Sequence, residues 1–405
     1  MKRITFTQIK KNIIRSVSAQ LVSLIVNIII NLFIPRYISE WQYAHWQMYV
    51  LYVGYVGVLH FGLLDGIILR YSGYDLEELN KKVLCSQFEV LLFVTGICSF
   101  LLLAISNLVF EGSYSLVFTF VSMGVITKNI VTYSSFLFQI SNRIDKYARL
   151  VVLQKSILGV LIFGLLILKV DNFCFFCLAD LFSDLIVFSL CSKDNRGLYF
   201  HKSFNFRETV HETISNISSG FLLLVANWSS LLVIGIAKSI VQIRWGLFSF
   251  SKVSFAFSIT NLFLTLVTAV SVVLFPSIKR LDEEQLPKLY LQIRSGMSVF
   301  LFAVMLLYYP GCRILMIWLP KYQESLVYLG VLLPIIIFSS KVGLLTNNYL
   351  KAYRNEAAML WINVLTVVIT TVLCGISAVV LEPITSHIFL TCLFLPSCII
   401  ISNLE

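Results

Sequence analysis

Along this chain, apolar runs of roughly 20 residues alternate with short polar breaks. A helical run of that length crosses a hydrocarbon core of about 30 Å. The pattern predicts spans at 17–34, 45–69, 86–110, 114–138, 150–169, 171–192, 213–236, 246–275, 294–316, 324–346, 357–380 and 384–402. No segment alternates as a barrel strand must, so the predicted class is an all-α integral membrane protein with twelve transmembrane helices. An even count puts both termini on one side.

The longest polar connection, KDNRGLYFHKSFNFRETVHET from Lys193 to Thr213, separates six predicted helices from six. It suggests a bundle at 1–192, a linker at 193–212 and a second bundle at 213–405. Two internal correspondences support a repeat. TKNIVTYSSFLFQISN, from Thr127 to Asn142, has a fainter copy in SKVGLLTNNYLKAYRN, from Ser340 to Asn355, which aligns Lys128 with Lys341. His45-Trp46 likewise matches Arg244-Trp245. Because both halves hold six helices and begin on the same side, the repeats are parallel, and a cleft between them is the expected substrate path.

Composition agrees with the pattern. The 405 residues are 58% hydrophobic and 13% charged, whereas soluble domains carry about 25% charge. The formal net charge of +10 is spread over short loops, which argues against nucleic acid as a partner. Twenty-two lysines and arginines fall on the N-terminal side of the predicted spans and six on the other: Arg36, Lys169, Lys238, Arg244, Arg313 and Lys321. That asymmetry predicts cytoplasmic N- and C-termini. The basic start, MKRITFTQIKKNIIRS, lacks a small-residue cleavage site and is read as a retained cytoplasmic segment. Trp41, Trp46, Trp245 and Trp318 fall at outer helix ends, where amphipathic rings favour the interface. Cys174 and Cys177 form a lone C-x-x-C inside FCFFC and are read as small buried hydrophobes.

Apart from the 28 lysines and arginines assigned to the two faces, three lysines remain inside the predicted spans: Lys128, Lys252 and Lys341. A lysine at bilayer depth costs about 2.5–3.5 kcal/mol on insertion scales, so each is a candidate lining of a polar cavity. Lys128 is the deepest, while Lys252 and Lys341 lie within snorkelling reach of a span end. Asp180 and Asp184 share one helical face at i,i+4, and Asp65 sits in FGLLDGIILRY one turn after His60. The aspartate pair either carries H⁺ or Na⁺ or neutralises Lys128 from an adjacent helix; neutralisation is the preferred reading. His60 is read first as a satisfied packing residue. Asn27, Asn31, Asn216 and Asn227 are read as interhelical hydrogen-bonding groups. The sequence contains no Walker loop, no G-x-S-x-G and no metal-spaced histidine cluster, so neither an enzyme nor a cofactor is expected.

FGLLDGIILRYSG, LFPSIKRL, WLPKYQESLVYLGVLLP and YLKAYRNEAAMLWIN carry a resemblance that covers nearly the whole chain. The chain resembles the polysaccharide-exporter branch of the multidrug/oligosaccharidyl-lipid/polysaccharide (MOP) superfamily, in particular the O-antigen or capsule repeat-unit flippases. The resemblance implies two pseudo-symmetric six-helix bundles forming a V-shaped, cationic central cavity in a bacterial cytoplasmic membrane. It implies alternating access that moves undecaprenyl-pyrophosphate-linked oligosaccharides outward. Membrane lipids, H⁺ or Na⁺, and the polysaccharide polymerase machinery are the other partners it suggests. A pyrophosphate crossing hydrocarbon fits buried lysine chemistry.

Two further classes compete. A cation-coupled drug or metabolite exporter would work through Asp65, Asp180 or Asp184. The spans at 17–34 and 213–236 hold no carboxylate, where related drug antiporters often carry one, which weakens that alternative. A glycan polymerase or ligase would need a large outer loop, and the outer loops here are short. Lys128 and Lys341 count as a functional pair only if both amines face a cavity shared by the two halves.

Overall fold

The computed structural model describes residues 6–72, 79–141, 143–194, 199, 206–278, 286–341, 356–380 and 384. These form α1 (Phe6–Tyr37), α2 (Glu40–Val53), a 3-10 turn (Val56–His60), α3 (Leu63–Tyr71), α4 (Lys81–Val109), α5 (Gly112–Ile140), α6 (Ile144–Ile167) and α7 (Phe173–Asp194). They continue through α8 (Phe206–Ile278), α9 (Leu286–Leu306), α10 (Tyr308–Trp318), a 3-10 turn (Pro320–Tyr322), α11 (Gln323–Lys341) and α12 (Glu356–Val380). No strand occurs among the described residues. Eleven of the twelve predicted spans have helical counterparts. The twelfth, at 384–402, lies outside the described residues apart from position 384, as do positions 342–355 of the internal copy.

Seven described helices are long and apolar enough to cross a bilayer, and nine if each bent pair is one span. Their outward faces carry Phe93, Phe100, Leu108 and Val160, all more than two-thirds exposed. Such faces suit lipid as solvent and would be an aggregation liability in water.

Each break in the helices has a local cause. The 60° bend between α2 and α3 follows consecutive left-handed residues, Phe61 (φ 52°) and Gly62 (φ 87°), so the helical ladder cannot continue. The 41° bend between α9 and α10 falls at Leu307, where Pro310 lacks the N–H that would bond Leu306. α8 runs 73 residues, about 110 Å if straight and far beyond one bilayer. At Gly246 (φ 84°, ψ 177°) its backbone leaves the helical region. Lys238 and Phe257 lie about 28 Å apart along a straight helix, yet the amine stands 5.4 Å from the ring centroid. The chain therefore reverses at Gly246, making α8 a hairpin of two spans, as the predicted separation at 213–236 and 246–275 requires.

The chain divides into two compact units, Met1–Val26 with His45–Trp228 and Asn27–Ala44 with Ser229–Glu405. The first unit's core joins Leu63, Leu64 and Ile67 of α3 to Leu84, Phe88 and Leu91 of α4, and to Ile130 and Leu137 of α5. Tyr199, which the sequence places in a polar linker, is buried there. Its ring meets Phe88 at 5.2 Å and Phe188 at 5.6 Å, and its hydroxyl donates to Ser134 Oγ at 2.9 Å. α3 also packs against the first arm of α8 with almost no clearance. A Cβ on Gly66 would overlap the Asn216 carbonyl, and one on Gly220 would overlap the Gly62 carbonyl. Only glycine permits this approach, which explains the two glycines of FGLLDGIILRY in physical terms.

In the second unit Leu301 and Ile336 pack with Phe263, Tyr290 and Leu333. Trp318 closes α10 against the end of α1: its Nε1 donates to the Leu32 carbonyl at 3.0 Å, and Arg36 Nη1 donates to the Trp318 carbonyl at 2.8 Å. Cys177 is buried and Cys174 half-buried, both as free thiols.

Candidate functional site

A buried charge cluster lies near the middle of α5, α6 and α7. Lys128 Nζ stands 2.7 Å from Asp180 Oδ2 and 2.8 Å from Asp184 Oδ2. The i,i+4 spacing puts both carboxylates on the face of α7 that meets α5. Tyr49 donates its hydroxyl to Asp180 Oδ2 at 2.8 Å, Gln154 Nε2 donates to Asp184 Oδ1 at 2.6 Å, and Thr127 Oγ1 donates to Asp184 Oδ2 at 3.3 Å. The Lys155 amine lies within the electrostatic reach of Lys128 and both carboxylates. Two lysines and two aspartates make the cluster formally neutral, the arrangement that low-dielectric burial favours.

The sequence pairs Lys128 with Lys341 across a shared cavity. The Lys128 amine instead packs inside its own unit, held by α7, so that pairing gives way to a neutral intra-unit cluster. The sequence reading missed Tyr49, Gln154 and Lys155. Gln154 and Lys155 were legible as a polar pair within LVVLQKSILGVLIFG, but Lys155 sits close enough to a basic loop to be counted with it.

The break between α2 and α3 carries His60 and Asp65, both buried. His60 Nε2 is 3.7 Å from Asp65 Oδ2, and the Gly62 N–H donates to His60 Nδ1 at 3.2 Å. With Nδ1 accepting, the neutral ring carries its proton on Nε2, facing the carboxylate. Asn129 Nδ2 fastens the break to α5 by donating to the Val56 carbonyl at 3.2 Å.

A second polar network ties the ends of α3 and α4 to α8. Arg70 pairs with Glu212 at 2.8 Å and donates to Asn216 Oδ1 at 2.6 Å; Tyr71 also bonds Glu212. Buried Gln87 accepts from Thr213 and Asn216. Asn216 thus serves as the expected interhelical link. Asn31 bonds back to the Asn27 carbonyl within α1.

The second unit places its lysines differently. Lys252 pairs at 2.8 Å with Glu324, whose side chain is 67% exposed, so this bridge is only weakly held. Lys341 ends α11 and is half-buried. Lys238, expected in an outer loop, lies eight residues inside the Gly246 reversal, about 12 Å along the helix. It is 7% exposed, with its amine 5.4 Å from the Phe257 ring centroid. Among the described residues no carboxylate pairs with it. The charge itself hid this site, because a lysine ends an apolar window even when the helix continues through it. No metal-binding group of His, Cys, Asp and Glu occurs among the described residues.

No protein-family profile matches the chain, and no curated protein matches it by sequence. Solved structures do. The inward-facing conformation of a multidrug resistance MATE family transporter of the MOP superfamily superposes with a TM-score of 0.67 over 95% of this chain and 98% of that one, at 13% identity. The lipid II flippase MurJ, in an inward closed conformation, gives 0.69 over 95% of this chain and 86% of its own, at 12% identity. MATE in complex with MaL6 gives 0.64 over 96% and 94%, at 12% identity. The chain therefore has the helical membrane-transporter fold that these proteins share.

Proposed function

We propose that this chain is a MOP-type transporter, not an enzyme, and specifically a flippase for undecaprenyl-pyrophosphate-linked oligosaccharide repeat units of O-antigen or capsule. It moves them from the cytoplasmic to the outer leaflet of a bacterial inner membrane by alternating access between six-helix bundles at 1–192 and 213–405, linked by 193–212, with both termini cytoplasmic. The observation that carries this reading is Lys238, a buried cation without a carboxylate partner among the described residues, on a fold shared with a lipid II flippase. A pyrophosphate is the anion such an amine lacks. Lys252 and Lys341 are the further substrate lysines, and Lys252 is released by giving up its exposed bridge to Glu324.

In this reading Lys128, Asp180 and Asp184, balanced by Lys155, form a neutral cluster that offers H⁺ or Na⁺ a place to act, with His60 and Asp65 as a second such place. Sugars and pyrophosphate travel through protein while the polyprenyl tail stays in lipid, and the polymerase machinery receives the product. The test is genetic: a deletion strain loses surface polysaccharide, and the wild-type chain restores it. Normal surface glycan after deletion would contradict the proposal. A second reading, cation-coupled drug export, draws on the buried carboxylates Asp65, Asp180 and Asp184 and on the MATE likeness. Drug resistance on expression, with surface glycan independent of the gene, would select it.

A further inference from the structure

At the Gly246 reversal the end of the first arm of α8 meets the last turns of α12. Between them lies a cleft of about 440 Å³ lined by Ile240, Ile243, Arg244, Gly375, Ala378 and Val379. Five of the six lining residues are apolar or glycine. Ile243 and Val379 are each more than four-fifths exposed. By length and composition α12 qualifies as a membrane span, as does the stretch Leu231–Thr265 that contains the reversal, and an exposed apolar face of this kind suits lipid.

Among the described residues, the one charged group that lines the cleft is Arg244. Its Nε donates to the Ala378 carbonyl at 3.2 Å, which satisfies a terminal carbonyl of α12 and fixes the guanidinium plane. A guanidinium has five N–H donors. The four on its terminal nitrogens have no acceptor among the described residues. The result is a planar, bidentate anion fork held at the headgroup end of an apolar trough.

We propose that this cleft is a binding site for one anionic phospholipid, its phosphate on the Arg244 terminal nitrogens and an acyl chain along Ile240, Ile243 and Val379. Charge complementarity selects a phosphate over a neutral headgroup, and the fork geometry suits it. The contrast lies on α6 and α7, where a groove of about 640 Å³ is apolar throughout. That groove offers a chain nothing to fix its headgroup. The inference is independent of which substrate the chain transports.

The experiment is native mass spectrometry of the purified full chain in mild detergent, titrated separately with phosphatidylglycerol, diacylglycerol of the same chains, and inorganic phosphate. The wild type retains one phosphatidylglycerol and neither of the others. Arg244→Gln lowers that retention at least about tenfold, while Arg313→Gln, at another exposed arginine of the same unit, leaves it unchanged. Gly375→Leu provides a second arm. A Cβ there meets nothing within 4 Å, so the larger side chain enters the cleft without disturbing the helix and lowers retention with Arg244 intact. Equal retention by the wild type and Arg244→Gln, undiminished retention by Gly375→Leu, or equal binding of phosphate alone would each overturn the proposal.

Discussion

Lys128 and Asp180 meet at 2.7 Å between α5 and α7, and the same amine reaches Asp184 at 2.8 Å. One lysine thus serves two carboxylates, so the three groups are energetically a unit. Removing only the lysine leaves two like charges buried together, which costs about 3–5 kcal/mol. Lys128→Met should therefore lower the melting temperature in detergent sharply. The quadruple variant Lys128→Met, Lys155→Met, Asp180→Asn, Asp184→Asn should recover most of the loss, because it removes all four charges of the neutral cluster together. A quadruple variant no more stable than the single one would contradict the neutral-cluster account.

Lys238 predicts the opposite behaviour. A buried charge without a carboxylate contributes little to folding, so Lys238→Met should keep or raise the melting temperature, since well-packed apolar replacements of buried charge are often neutral or better. Complementation of surface polysaccharide should nevertheless fail in that variant. A variant that melts early, or that complements fully, would remove Lys238 from the substrate path.

At the contact between α3 and α8, Gly66→Ala and Gly220→Ala should each destabilise by about 1–3 kcal/mol, because a methyl forces two backbones apart. Gly96→Ala is the control, since a Cβ there meets nothing within 4 Å. Thermal unfolding of the three purified variants checks this.

Tyr199 is buried in the core of the first unit. Tyr199→Ala removes a ring that meets Phe88, Tyr133 and Phe188, with an expected loss of about 3–5 kcal/mol. Tyr199→Phe keeps the ring, loses the bond to Ser134 and should cost about 1 kcal/mol. Similar losses for both would mean that the hydroxyl, and not the ring, holds the segment.

The membrane class and the span order were legible because hydrocarbon imposes a minimum apolar length, and that constraint is written residue by residue. The acid pair was legible too: Asp180 and Asp184 are one turn apart, and their neutralisation of Lys128 follows from the cost of burial. What the sequence concealed is contact between distant segments. Tyr49 reaches Asp180 from 131 positions away, and nothing in its local pattern distinguishes it from the other aromatics of α2. Lys238 was misplaced for a local reason, since a charge breaks the hydropathy window that locates the helix. The matched lysines at 128 and 341 failed as a pair because sequence register carries no information on which neighbour takes the amine.

The central claim is tested most directly by reconstituting the purified chain in proteoliposomes and following a fluorescent undecaprenyl-pyrophosphate-linked repeat unit from one leaflet to the other. The account predicts translocation by the wild type, little above empty vesicles for Lys238→Met, and an intermediate rate for Lys238→Arg. A wild-type chain that leaves the lipid-linked unit in its original leaflet, while moving a small cationic drug against an imposed H⁺ or Na⁺ gradient, would contradict it.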